Sequence, residues 1–319
     1  LQCRNMLIIM PLALPEQRII QTVSLPNKEI GLFVQRDDLS DPWLGGNKVY
    51  KLRENLMAFR RSGKKALLTF GGAWSNHLVA TAELCRRAGI PVVGIVRGEE
   101  NRNPRLDFLR SAGMRLVFSE REQYRRKEDE ASQTFYCQAA ARELDCSPSD
   151  FQVVPEGGSN EAGFQGSKRI LDPAISSTFT HVVVACGTGT TLAGLTASLL
   201  PHQQAIGIAV VHDLKNIRER LRTFGVKDER YILLDDFVFG GYAKKNAELL
   251  EFCTQFGVDT GIPIEPVYTG KAFFAVIRMI NENYFPKGSK VLIIHTGGLY
   301  PCDAAFEICT SSKLAVSNS

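Results

Sequence analysis

The chain of 319 residues contains no apolar run near 18 residues, so no segment reads as a membrane-spanning helix. Its eight cysteines (3, 85, 137, 146, 186, 253, 302 and 309) include no Cys-x-x-Cys pair. That gives no metal signature and favours reduced thiols in a cytoplasmic protein. Charge of either sign is hardly in excess. The formal net value is +4, with positive residues scattered and glutamate interleaved, so neither nucleic acid nor an anionic membrane is expected as a partner. Repeats and low-complexity stretches are absent too. Met6–Leu14 has the look of a short leader, but Arg4 is the only positive charge before it and Glu16-Gln17-Arg18 follow without a small-residue cleavage site. A start at Met6 or Met10 would leave residues 1–5 as an extension. With 44% hydrophobic and 23% charged residues the composition is that of a globular protein long enough for two compact domains.

Two nucleotide signatures are present only in part. Gly189–Thr196 has the spacing of a P-loop, yet Leu195 stands where the phosphate-binding lysine belongs. The dinucleotide pattern fails because Leu192 replaces its third glycine. What remains is a strand, Val182-Val183-Val184-Ala185, running into Cys186-Gly187-Thr188-Gly189-Thr190-Thr191-Leu192-Ala193-Gly194 at the start of a helix. Glycines admit an anion close to the backbone, threonines add hydroxyls and the helix start adds unpaired N–H groups, which together make a phosphate cradle. A plain helix cap would use the same residues. Far upstream a lysine sits among glycines, in Gly45-Gly46-Asn47-Lys48, with Lys51 three residues on. A lysine combined with a cradle for a small phosphomonoester suggests pyridoxal 5′-phosphate.

Strand patterns near 66–70, 92–96, 115–118 and 152–154 alternate with helical ones (Arg53–Arg61, Leu78–Ala88, Glu120–Arg142). A second set has strands near 182–185, 206–211 and 291–295 and helices near 191–200 and 243–256. This alternation predicts parallel α/β architecture. A small domain over 53–158 is expected inside a larger one built from 1–52 and 159–319. The run Arg125–Glu130 reads as a solvated helix face.

GGNK at 45–48, SNH at 75–77, PEGGSN at 155–160, GTGTTLAG at 187–194, GGY at 240–242, PVYTGK at 266–271 and HTGG at 295–298 follow one another in that order. In these motifs the chain resembles the 1-aminocyclopropane-1-carboxylate deaminase/D-cysteine desulfhydrase family of pyridoxal 5′-phosphate enzymes. The resemblance implies fold type II, the tryptophan synthase β-like architecture: two three-layer α/β/α domains with the cofactor in the cleft between them. It also implies a homodimer acting on a small amino acid.

Such an enzyme needs a lysine whose amine joins the cofactor aldehyde and later moves the substrate α-proton. Lys48 and Lys51 share a helical face, and their repulsion would favour a neutral amine on one of them. Spacing does not choose between the two; the resemblance places the cofactor lysine at Lys48. It also implies that Asn76 bonds the ring hydroxyl and Ser75 the substrate carboxylate. His77 would stand beside them, Gly187, Thr188, Gly189, Thr190 and Thr191 would hold the phosphate, and Tyr242 and Tyr268 would be the active-site tyrosines. Each also has a plainer reading, as cap, turn or packing residue. Where the deaminases carry a glutamate facing the pyridine nitrogen, this chain has Thr269. A hydroxyl does not hold a proton on that nitrogen, so the ring is a weaker electron sink. Expelling a thiolate tolerates that better than opening a cyclopropane. The expected reaction is therefore elimination from D-cysteine, giving hydrogen sulfide, pyruvate and ammonia. The alternatives are 1-aminocyclopropane-1-carboxylate deaminase, another small amino-acid lyase, and a pyridoxal phosphate- or nucleotide-binding protein without turnover. Trp74, Ala243-Lys244-Lys245 and Tyr300-Pro301 depart from the family pattern.

Overall fold

The computed structural model describes residues 14–303 apart from 16, 27 and 28. The leader and start-site questions raised by residues 1–13, together with Cys3 and Cys309, fall outside the described residues. The strands are β1 (Ile20–Val23), β2 (Gly31–Gln35), β3 (Ala66–Gly72), β4 (Val92–Arg97), β5 (Arg115–Ser119), β6 (Phe151–Val154), β7 (His181–Cys186), β8 (Gln204–Ala209), β9 (Tyr231–Leu234) and β10 (Lys290–Ile294). They form two sheets. The smaller, in the order β5-β4-β3-β6, is parallel throughout. The larger runs β1-β2-β10-β7-β8-β9 and is parallel except for the β1–β2 hairpin pair at its edge.

Every residue of β3 is buried, because a central parallel strand covered by helices on both faces has no solvent side. That is why it reads as a mostly apolar run, broken only by Thr69, rather than an alternating one. Within each parallel sheet the carboxyl ends point one way, and the ends of β3 in the smaller sheet and of β7 and β10 in the larger carry Ser75, Gly187 and Thr296 into the lining of one crevice, where open α/β sheets bind ligands.

Helix boundaries differ from expectation in three places. The predicted helix 120–142 is two helices, Arg121–Arg125 and Glu130–Leu144. Asp129 is extended between them (φ −68°, ψ 140°), and the Arg126–Asp129 pair at 3.1 Å closes the turn. The intervening charged run is not only a solvated face: Lys127 is paired with Glu156 at 3.2 Å and lies over the Tyr124 ring. The helix expected from 243 begins at Ala247, because Asn246 caps it by accepting a hydrogen bond from the Leu249 N–H at 2.9 Å. The helix read over Arg53–Arg61 starts earlier and spans Asn47–Ser62. Among the described residues no helix is long and apolar enough to cross a membrane.

Candidate active site

Gly46 fixes where Lys48 stands. It adopts φ +80°, and a Cβ there would strike the Thr296 carbonyl, so the helix Asn47–Ser62 starts flush against the end of β10. Lys48 Nζ donates to Asn47 Oδ1 at 2.8 Å, and Asn47 Nδ2 donates to Thr191 Oγ1, also at 2.8 Å. Burial pulls the Lys48 pKa down to about 8 against a smaller opposing pull from Glu265. Lys51, one turn on, donates to the Gly157 carbonyl at 3.2 Å; burial, then the Lys48 charge, lowers its pKa well below the ordinary value. The expected repulsion within the lysine pair is thus present, and desolvation exceeds it.

Beyond β3, Ser75 caps the helix Asn76–Ala88, its Oγ accepting from the Leu78 N–H at 3.3 Å. Asn76 is held from both ends: its Oδ1 accepts from Arg105 at 2.7 Å and its carbonyl from the Tyr300 hydroxyl at 3.2 Å. His77 is buried, with Nε2 2.8 Å from Thr69 Oγ1. The Thr69 hydroxyl spends its one proton on the Val154 carbonyl at 2.9 Å, so Nε2 carries the hydrogen and Nδ1 is a bare acceptor. Burial, reinforced by the two lysines, lowers the His77 pKa far enough to keep the ring neutral. Nδ1 has no hydrogen-bond partner among the described residues.

Tyr242 and Tyr268 meet edge to face with centroids 6.0 Å apart. Burial raises both pKa values, so both phenols stay protonated. The loop bearing Tyr242 is tied down by the buried Lys271, whose amine donates to the carbonyls of Val238 at 2.7 Å and Gly241 at 2.9 Å. Glu265 aligns Tyr268: its carboxylate accepts the N–H groups of Val267, Tyr268 and Thr269 at 2.7–2.9 Å, at the start of the helix Thr269–Asn281.

One cavity is lined by Lys48, Lys51, Ser75, Asn76, His77, Gly187, Thr188, Gly189, Thr191, Tyr242 and Tyr268. Two expected members lie behind its wall. Thr190 is fully buried, its hydroxyl 2.6 Å from Ser159 Oγ. The Thr269 hydroxyl accepts from the Glu265 N–H at 2.9 Å, which turns it into the loop rather than into the cavity. Asn47, Glu156, Gly157 and Thr296 line the cavity without having been assigned a role from the sequence, although each falls within a quoted motif. Arg105 carried no signal at all. It makes a two-point ion pair with Asp303 (2.8 and 2.7 Å) and donates to Trp74 O, Asn76 Oδ1 and Gly298 O. The departure at Tyr300-Pro301 thereby gains a purpose, because the segment carries two groups that anchor Asn76, directly or through Arg105.

These groups suit a phosphorylated aromatic aldehyde: a desolvated amine, a neutral imidazole with an empty acceptor, an anchored amide and a glycine-threonine cradle. Gly187 tests the cradle. A Cβ there would approach only Tyr268 Cε1, at 3.4 Å, whereas Gly189 has φ +85° and lies against Leu221 and Ile217, so substituting it would strain the fold. Gly187→Val is expected to weaken pyridoxal phosphate binding about tenfold, the loss of roughly one backbone hydrogen bond. Fluorescence titration of the apoprotein reads the affinity and circular dichroism verifies the fold. The uptake rate is also expected to rise about fivefold from pH 7 to pH 8 and to level off above, since only the unprotonated Lys48 attacks an aldehyde. Stopped-flow absorbance would follow it.

The comparisons agree with this geometry. Residues 15–297 match the family model described as pyridoxal-phosphate dependent enzyme. A Pyrococcus horikoshii protein named "Putative 1-aminocyclopropane-1-carboxylate deaminase" is 31% identical over 90% of each chain. A Thermotoga maritima protein of the same name is 33% identical over 84% of this chain and 89% of its own. A crystal structure described as an ACC deaminase homologue superimposes with a TM-score of 0.74 at 29% identity, covering 93% of this chain and 94% of that one. The chain belongs to the pyridoxal-phosphate dependent enzyme family, in its 1-aminocyclopropane-1-carboxylate deaminase/D-cysteine desulfhydrase branch, has the type II fold and uses pyridoxal 5′-phosphate.

Proposed function

We propose that the enzyme is a lyase that eliminates the β-substituent of a small amino acid, with D-cysteine as the reference substrate. The observation that carries the choice is residue 269. It is a threonine turned into its own loop, and the nearby Glu265 carboxylate is already taken up by three backbone N–H groups. Neither group is free to secure a proton on a ring nitrogen, so a leaving group that departs with its electron pair is favoured over a carbon–carbon ring opening.

When bound, pyridoxal 5′-phosphate supplies a sink for the electrons released at the substrate α-carbon. The protein does the rest. Gly187, Thr188, Gly189 and Thr191 would hold the phosphate, and Asn76 and the His77 Nδ1 acceptor would bond the bound ring. Ser75 and the helix start at Asn76 hold the substrate carboxylate. Lys48, whose burial brings its pKa down to about 8 so that about half of it is neutral at that pH, takes the α-proton. The protonated phenols of Tyr268 and Tyr242 face the departing group. Cysteine and one water give hydrogen sulfide, pyruvate and ammonia. The enzyme is proposed to work as a cytoplasmic homodimer, with its two sheets as the cores of two domains; light scattering reads the oligomer.

Ring opening of 1-aminocyclopropane-1-carboxylate is the second reading, favoured by the names of the relatives. The expected result is sulfide and pyruvate from D-cysteine with at least about tenfold less 2-oxobutyrate from the cyclopropane, a difference in barrier of about 1.4 kcal/mol. Equal turnover of the two would remove the argument from Thr269.

A further inference from the structure

Outside Tyr242 the crevice opens into a second cavity of about 560 Å3. Tyr242 is the one residue in the described lining of both cavities. The outer wall carries Arg97, Arg121, Arg125, Lys127 and Lys244, and no acidic residue is among its described lining. Lys127 is neutralised by Glu156 at 3.2 Å. The other four cations have no ion pair among the described residues, and they come from three separate segments: the end of β4, the helix Arg121–Arg125 and the loop after Tyr242. Arg97 is placed by aromatic rings instead of a carboxylate, its guanidinium 5.6 Å from the Tyr242 centroid and 5.9 Å from that of Tyr124.

This concentration stands out against the rest of the chain. Four unneutralised charges surround one cavity in a chain whose formal net charge is only +4. A concave site with one sign of charge and low-dielectric aromatic walls focuses its potential and draws in the opposite charge. A substrate held by its carboxylate at Ser75 and losing its α-proton to Lys48 would direct its β-substituent toward the tyrosine pair and, past it, into this vestibule.

We propose that the vestibule binds the outer end of the substrate, and that the preferred substrates are amino acids whose β-substituent carries a second negative charge, such as a sulfonate, phosphate or carboxylate. The inference rests on the elimination reading above. In the step itself the α-proton passes to the Lys48 amine, the bond from Cβ to the substituent breaks, and its electron pair leaves on the substituent as an anion. The remainder takes up one water and ends as pyruvate and ammonium. No oxidant or reductant is needed. The leaving anion gains charge as it moves toward the four cations, and bare cysteine has nothing to place among them.

The test compares pyruvate release by the holoenzyme from S-sulfocysteine and O-phosphoserine with that from cysteine and serine, in both enantiomers and at low salt. Each charged substrate is expected to exceed its neutral counterpart at least about tenfold in kcat/KM, a preference that salt at about 0.5 M should erode. In the double variant Arg121→Gln/Arg125→Gln the ratio should fall about tenfold, and Lys244→Gln, on a different segment, should lower it separately. Quenching of the half-exposed Trp74 at the vestibule rim gives a readout independent of turnover, with O-phosphoserine expected to act at about tenfold lower concentration than serine. Pyruvate from cysteine with no preference for charged analogues, or a preference the variants leave intact, would overturn the vestibule but not the elimination reading. No pyruvate from any of the four would overturn both.

Discussion

Lys48→Ala is expected to lower kcat/KM for D-cysteine by about 10³-fold or more, because the group that joins the cofactor and the base that takes the α-proton are lost together. Pyridoxal phosphate should still bind, since the cradle and Asn76 remain, but borohydride should no longer fix it to the protein. In the unaltered enzyme reductive trapping and peptide mapping should find the label at Lys48. Lys51→Ala separates the two amines. Lys51 is already committed to the Gly157 carbonyl at 3.2 Å, so its removal should leave the label in place and move the pH dependence of activity instead. Trapping at Lys51 would reverse the assignment.

The second large effect is expected at Asp303. Burial disfavours the Arg105 cation, and the Asp303 carboxylate more than compensates, holding the pKa above the ordinary arginine value. Both side chains are about a tenth exposed. Asp303→Ala leaves a buried guanidinium facing only two carbonyls and the Asn76 amide, and is expected to cost about 3 kcal/mol of stability, read as chemical denaturation of the apoprotein. Asn76 loses its alignment at the same time, so cofactor affinity should fall. The double substitution Arg105→Met/Asp303→Leu distinguishes the two consequences. With no unpaired charge it should recover most of the stability, yet the affinity should stay low because Asn76 Oδ1 has lost its donor. Full recovery of both would make the pair a structural strut with no bearing on the cofactor.

The parallel α/β core was legible because buried strands such as β3 and β7 are largely apolar and run into glycine. The hairpin partners β1 and β2 were not: Ile20–Val23 and Gly31–Gln35 are short, half-buried and close to the length at which chance alternation competes. The glycine-flanked lysine, the SNH turn and the cradle were legible as chemistry because backbone conformation and residue type coincide there. Arg105 and Asp303 were not, since a charged residue at a helix start reads as solvated until its partner, 198 positions away, is placed beside it. Glu265 and Lys271 failed in a different way. They sit inside or next to a recognised motif, but their work is to hold backbone carbonyls and N–H groups, and that is invisible without coordinates. At Thr269 the residue was noticed and its direction was not, because four residues of spacing do not reveal which way a hydroxyl turns.

The placement of β10 bears on how the protein is made. The smaller sheet is assembled from one uninterrupted stretch, residues 66 to 154, and can form as soon as that stretch leaves the ribosome. The larger one cannot: β10 slots between β2 and β7, pairing Val291 with Leu32 and with His181. Until the last of its strands is synthesised, β2 and β7 are open edges flanking a missing centre, a state prone to pairing with other chains. Synthesis halted before Lys290 should therefore yield an aggregating product, while the same protein completed through β10 closes its sheet and receives Thr296, against which the lysine helix is seated, in one event.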